Sequence, residues 1–291
     1  MPNKKLWLIL GGTGQLGRSL QSQLLKKSID FIAPNSNNLD LKDFINARKF
    51  ILEYQPNVVV NCAAWTNVSE AEGNSEEVNI VNGYSVRQLL MACGEISATY
   101  AHVSTDYVFS GTKNSPYLVN DKTDPLNAYG VSKALGEKFT IDSGLEKFYI
   151  FRTAWLYSEF GNNFVKTIIS KYISGQEEIK VVNDQFGNPT YAPDLALQII
   201  EAINRNVSAG IYHSVNSGTA SWYDLAVKTI ENLGYDTKKI QGVTSGEYRS
   251  DILRPQNTSL DVSEWSKVGM QQMQPWDAAL KSAIPEIIKY L

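Results

Sequence analysis

Cysteine is scarce in this sequence, with Cys62 and Cys93 the only two in 291 residues. Their spacing suits neither a disulfide framework nor zinc ligation. Cys62 lies in an apolar run and reads as a buried core thiol. Histidine is equally rare: His102 has apolar neighbours on both sides and His213 flanks an apolar run, so both read as structural, and no carboxylate cluster demands a metal. Neither sign of charge dominates. A formal net charge of −3 excludes the basic footprint of a nucleic-acid binder and a polybasic membrane anchor. No apolar run approaches the roughly 20 residues of a membrane span. The apolar stretch Leu6 to Leu10 is too short for a signal peptide and runs directly into glycines. These absences leave an ordinary globular protein, expected in the reducing cytoplasm.

What is present is an α/β pattern. At 43% hydrophobic and 20% charged residues, the chain can build one large α/β unit or two lobes sharing a core. Leu6 to Leu10 reads as a parallel strand buried on both faces. A loop, Gly11-Gly12-Thr13-Gly14-Gln15-Leu16-Gly17, follows, and then a helical pattern over Gln15 to Leu25 with Leu16, Leu20 and Leu24 in register. Strand, glycine turn and helix N-terminus make a dinucleotide cradle, whose N–H groups face a pyrophosphate. Two glycine frames fit, Gly12/Gly14/Gly17 and Gly11/Gly14/Gly17, and the loop does not choose between them.

A second strand is expected over Asp30 to Ala33. Beyond it, Pro34 to Asn38 is polar but uncharged. An acid there would bind the ribose 2′-hydroxyl and select NAD; its absence, with Arg18 nearby, favours NADPH and leaves NADH open. Asp40-Leu41 reads either the adenine edge or, through Asp40, the cap of the next helix. Val58 to Ala64 is the most apolar strand, and Ala63 and Ala64 at its end leave room for a cofactor. Ala101 to Thr105 repeats the pattern with hydroxyls at its C-terminal end, where open parallel sheets bind ligands.

Tyr129 and Lys133 stand four residues apart, so on a helix they share a face. A lysine ammonium beside a phenol is expected to lower the phenol's pKa towards the working pH and let it protonate a carbonyl oxygen during hydride transfer. The spacing recurs at Tyr235 and Lys239 without such context; the position after a nucleotide loop and the Ser104-Thr105-Asp106 strand end sets the first pair apart.

The residues Gly11 to Gly17, Val60 to Thr66, Ser104 to Phe109, Asn127 to Lys133, Phe151 to Trp155, Gly161 to Phe164, Asn183 to Thr190 and Arg254-Pro255 with Ser259 to Asp261 resemble the extended short-chain dehydrogenase/reductases, and within them the dTDP-4-dehydrorhamnose reductase family. The likeness covers most of the chain. It implies NAD(P)H-dependent reduction of a dTDP-linked 4-keto-6-deoxysugar, with Tyr129 as acid, Lys133 as its partner and ribose ligand, and Thr105 holding the carbonyl oxygen. Gly11, Gly14, Gln15, Leu16, Gly17, Asp40, Leu41, Ala63 and Ala64 would hold the cofactor. Asp106, Trp155, Asn163 and Arg254 would hold the substrate, Arg254 by gripping the diphosphate. Asn82, with Asn79 a rival, matches the asparagine that supports the lysine through water. The resemblance also implies a homodimer. A related 4-ketoreductase giving a 6-deoxytalose, or a nucleotide-binding regulatory subunit on the same fold, are the alternatives. One departure stands out: Val68-Ser69-Glu70-Ala71-Glu72 replaces the family's Val-Asp-Lys-Ala-Glu run at the edge of the expected sugar pocket.

The expected fold is a Rossmann-type doubly wound parallel sheet over residues 1–155, with a smaller substrate lobe over 156–291 and segments near 180–215 returning to the main sheet. Helices are expected over Phe164 to Ile173, Asp194 to Asn204 and Ser221 to Leu233, the last with a capping box from Ser221 and Asp224, and Ile211 to Val215 is expected as a strand.

Overall fold

The computed structural model describes residues 5–248 and 252–291. Trp7–Leu10 forms β1, a four-residue strand buried along its whole length, as its unbroken apolar run requires. Helix α1, Gln15–Lys26, follows. Its Leu16, Leu20 and Leu24 are all buried, each contributing about 2 kcal/mol of apolar burial. Ser28, in the left-handed region at φ 53°, turns the chain out of the helix into β2, Phe31–Ile32. Helix α2, Phe44–Tyr54, leads to β3, Val58–Asn61. The short helices α3, Val68–Gly73, and α4, Ser75–Asn79, pass through a π-turn at Ile80–Tyr84 into α5, Ser85–Glu95. Strand β4, Thr99–Thr105, helix α6, Ala128–Ile141, and strand β5, Phe148–Thr153, complete the first half.

The second half holds β6, Leu156–Tyr157, α7, Phe164–Ile173, β7, Ile179–Val182, β8, Phe186–Gly187, β9, Thr190–Tyr191, and α8, Ala192–Asn204. Then come β10, Gly210–His213, β11, Ala220–Ser221, α9, Trp222–Asn232, β12, Ile240–Val243, α10, Glu264–Lys267, and α11, Trp276–Ile288.

Six strands form one parallel sheet in the order β10-β5-β4-β3-β1-β2. Alternate side chains of the inner strands feed two cores. One face carries Trp7, Ile9, Val60 and Phe151 against Leu20 of α1 and Leu195 and Ile199 of α8. The other carries Leu8, Leu10, Val59 and Tyr100 against Ile51 of α2 and Val86 and Leu89 of α5. This is the doubly wound α/β arrangement. Its strand order reverses between β1 and β3, and the crevice outside the strand ends there is where such sheets take ligands. A separate core joins α7, α9 and α11 through Ile169, Leu225 and Ile284. Strand β10, although late in the chain, pairs with β5 over Gly210 to His213. Among the described residues no helix is long and apolar enough to cross a membrane.

Candidate active site

The crevice between β1 and β3 opens into a cavity of about 180 Å³ whose lining includes Gly11, Thr13, Asp40, Leu41, Ala63 and Ala64. No side chain caps the N-terminus of α1, so its first N–H groups, from Gln15, Leu16 and Gly17, are available to an anion. The loop is tight. Gly11 adopts φ 76°, and a Cβ at Gly17 would lie 2.3 Å from Gly11 O. A Cβ on Gly11 would meet the Ala63 backbone at 2.6 Å and one on Gly12 the Ala33 Cβ at 2.9 Å, so both glycine frames are closely packed. Asp40 accepts from Lys42 N within its own turn, and Asp43 is the cap of α2, so Asp40 keeps only its place on the cavity wall. These residues fit an adenine dinucleotide: a backbone cradle too close for side chains, an uncapped helix end and a cleft at the strand reversal.

Residues further along the crevice come from β4 and α6. Asn127 caps α6 by accepting from Gly130 N at 2.9 Å, and Glu72 of α3 accepts from Ala128 N at 2.8 Å. An added Cβ at Gly130 would lie 2.3 Å from Tyr107 O, so glycine there lets α6 lie on the turn after β4. Tyr129 thereby meets Tyr107 edge to face, with ring centroids 5.8 Å apart. In the Val68 to Glu72 departure, Ser69 and Glu70 are both exposed on α3, and Glu72 is the member tied to α6.

The electrostatics differ from the sequence expectation. The Tyr129 phenol is raised, not lowered: burial is the main cause, the negative charges of Asp106 and Tyr107 add to it, and the Thr105 hydroxyl opposes. Lys133 donates to Val103 O at 2.6 Å. Burial lowers its ammonium to about 8 against the pull of Glu137. The physical reason is desolvation: helical spacing predicts adjacency but carries no information on how completely both groups leave water. At neutral pH the phenol is protonated, the state a proton donor needs, and Lys133 is mostly charged.

Beneath Lys133 lies a buried ion pair. Glu137 accepts from Arg152 Nε at 2.9 Å, from the second Arg152 nitrogen at 2.7 Å, and from Ser104 Oγ at 2.6 Å. Both charged side chains are 3% exposed. Arg152 also donates to Val119 O. His213 faces it in β10, with Asp261 O 3.0 Å from Nδ1, and burial followed by the Arg152 charge pushes the imidazole down to about 3. His102 is buried as well, and burial and Lys133 lower its pKa, so both histidines are neutral and structural. Burial raises the Cys62 thiol to about 12, which keeps it protonated.

Asn82 accepts from Trp65 N and donates to Trp65 O and to Ser132 Oγ, which fixes it against the start of α6. Two expected roles change. Asn163 caps α7 by accepting from Lys166 N and gives its amide hydrogens to Gln15 Oε1 and Ser158 O. It is a joint between α1 and α7, with no donor or acceptor aimed at a sugar. Trp155, at φ 45°, stacks on Trp222 with centroids 3.6 Å apart and planes at 7°. Trp222, not Trp155, lines the second cavity.

That cavity, about 530 Å³, has Phe164, Lys171, Lys180, Gln185, Trp222 and Arg254 on its walls. It combines cations with an aromatic face, which suits a nucleoside diphosphate. Arg254 is exposed and near enough to Tyr107 for its charge to oppose the raised phenol there. Asp106 is 2% exposed. Its two oxygens accept from Thr105 Oγ1 at 3.1 Å and Thr258 Oγ1 at 2.5 Å, so it lies behind the reaction centre and does not face the cavity. Glu137, Glu72, Trp222 and Thr258 were not singled out for the site by sequence reasoning. Glu137 had a local signal, a carboxylate four residues after Lys133; Thr258 had none.

A family model described as the RmlD substrate binding domain matches residues 5–288. The chain is 38% identical to a dTDP-4-keto-6-deoxy-D-glucose reductase of Streptomyces niveus, covering 96% of each chain. It is 37% identical to a dTDP-4-dehydrorhamnose reductase of Streptomyces griseus, over 97% of this chain and 93% of that one. A crystal structure of dTDP-4-dehydrorhamnose reductase from Bacillus anthracis in complex with NADP superposes with a TM-score of 0.93 at 32% identity, over 97% of this chain and 99% of that one. With a dinucleotide cradle, a Thr105–Tyr129–Lys133 centre and near full-length matches, the chain belongs to the RmlD substrate binding domain family, alongside the dTDP-4-dehydrorhamnose reductases.

Proposed function

We propose that this protein is an NADPH-dependent reductase that converts the C4 ketone of dTDP-4-dehydro-L-rhamnose to the alcohol of dTDP-L-rhamnose, with NADH as the second candidate reductant. The observation that supports this reading is Thr105, at the C-terminal end of β4, bonded to the Tyr129 phenol, with Lys133 of the same helix donating to Val103 O of that strand. Ala63 and Ala64 line the cavity at the dinucleotide cradle, and Trp222 and Arg254 line the second cavity. The cofactor supplies the hydride. The chain supplies the rest. Tyr129, protonated in its buried site, gives its proton to the ketone oxygen as negative charge develops there. Thr105, bonded to Asp106 and to the Tyr129 phenol, fixes the phenol beside that oxygen, and the mostly charged Lys133 stabilises the phenolate left behind. Arg254 and the two lysines of the second cavity meet the diphosphate, and Trp222 offers a face to the base or sugar. We also propose a cytoplasmic homodimer; light scattering on the purified protein separates dimer from monomer.

The reading is tested by following reduced-nicotinamide absorbance with NADPH and NADH in turn after adding dTDP-4-dehydro-L-rhamnose, with NMR of the product. Tyr129→Phe is expected to keep NADPH affinity and lose about 10²- to 10⁴-fold in turnover. Near-normal turnover in that variant rules out Tyr129 as the acid. The relatives' names cover more than one dTDP sugar, so a product epimeric at C4 keeps the mechanism and changes the sugar.

A further inference from the structure

Asp106 is a buried carboxylate with no cationic hydrogen-bond partner among the described residues. It sits between β4, which ends at Thr105, and the closing segment that runs from Arg254 to Thr258. Thr105 donates to one oxygen and Thr258 to the other. The same segment is tied to β8: Phe186 N donates to Gln256 O at 2.7 Å and Thr258 N to Phe186 O at 2.8 Å. Asn127, the cap of the Tyr129 helix, donates its amide to Leu253 O. A side chain placed here for stability alone would be cheaper to bury as an amide, because an uncompensated carboxylate resists leaving water.

We propose that Asp106 is a positioning residue: it fixes the Thr105 hydroxyl beside Tyr129 and, through Thr258, links that hydroxyl to the segment carrying Arg254. The placement of Arg254 on the second cavity and of the Tyr129 phenol are then coupled through one hydrogen-bonded chain. The inference rests on the reading of Thr105 and Tyr129 as the groups at the ketone. The groups around Asp106 are Thr105 of β4, Tyr107 of its own turn, Tyr129 of α6 and Thr258. Arg254 acts on this cluster through Tyr107. Burial raises the Asp106 carboxyl to about 6, with the two threonine hydroxyls opposing.

The test compares Thr258→Val, Thr258→Ser and Asp106→Asn with the unsubstituted protein, measuring NADPH affinity, kcat and KM for the sugar nucleotide, and the pH profile of kcat. Thr258→Val is expected to lower kcat on the order of tenfold, the loss of one charge-assisted hydrogen bond. It should also raise KM, with NADPH affinity unchanged, and Thr258→Ser should restore both. Unaltered kcat and KM in Thr258→Val overturn the proposal. Asp106→Asn gives an independent arm should the valine variant not fold. The acid limb near pH 6 is expected to vanish in it, and a limb that persists also overturns the proposal. Tyr129→Phe is run alongside. Near-normal turnover there sinks the underlying reading, whereas an inactive Phe variant beside an unaffected Thr258→Val sinks only the role of Asp106.

Discussion

Replacing Glu137 with Gln removes one charge and almost no volume, yet the structure predicts a large effect. Three donors converge on the carboxylate, two from Arg152 and one from Ser104, at 2.6 to 2.9 Å. The amide keeps one acceptor oxygen and points an N–H group at an Arg152 nitrogen that is itself a donor. Arg152 is 2% exposed, so its guanidinium is left charged and unpaired. Breaking a buried pair from one side costs about 3–5 kcal/mol, a large part of the roughly 5–15 kcal/mol that holds a domain folded. Thermal unfolding should therefore drop on the order of 10 °C. The double variant Glu137→Leu/Arg152→Met should recover most of that loss, because an apolar pair carries no desolvation penalty. A second readout comes from Lys133, whose ammonium Glu137 supports. Without that support the lysine deprotonates at lower pH, and the basic limb of kcat/KM moves towards acid. A single variant that loses under about 1 kcal/mol and keeps the same pH profile would falsify this account of Arg152 and Lys133.

Two further outcomes follow from burial and close contact. The Asp106 carboxyl rises from 3.8 to about 6 on folding, so its contribution is fully present below pH 3.8 and is lost as pH rises through about 6. That amounts to about 3 kcal/mol. Urea denaturation should show Asp106→Asn gaining about that much on the unsubstituted protein between pH 4 and pH 7, whereas parallel stability curves contradict the shift. Gly17→Ala places a Cβ 2.3 Å from Gly11 O and 2.7 Å from Gly12 Cα. NADPH binding, read by fluorescence titration, should weaken about ten- to a hundredfold; unchanged affinity means the loop does not cradle the cofactor so closely.

Much of the scaffold could be read from residue order because its signals are local. An unbroken apolar run, a glycine loop and leucines at helical spacing define β1 to α1. The helix over Phe164–Ile173 and the Ser221–Asp224 capping box stand where the pattern places them. Four of the five two-residue strands, β6, β8, β9 and β11, are too short to carry a period, and no local pattern announces them. The site divides in the same way. Tyr129 and Lys133 are flagged by their four-residue spacing, and Thr105 by the family resemblance. The sign of the Tyr129 shift depends on burial from every side, which no spacing reports. Asp106 and Thr258 are 152 residues apart, and only the folded chain makes them neighbours. Asn82 and Asn163 were matched by position, but their amides are held by Trp65 and Ser132 in one case and by Gln15 and Ser158 in the other.

The late arrival of β10 has a consequence for biosynthesis and engineering. Strand β5 takes its outer neighbour from residues 210–213, so a nascent chain released only as far as Thr153 has an open sheet edge. Tyr149 and Phe151 must then wait for Tyr212 and Trp265, which complete their packing. An open edge of this kind invites pairing with other chains. A cut at the boundary near Thr153 therefore yields a nucleotide-binding fragment whose border is unfilled. A transplant that exchanges the sugar-recognising half for another must bring a matching copy of this strand, or leave the recipient prone to aggregation.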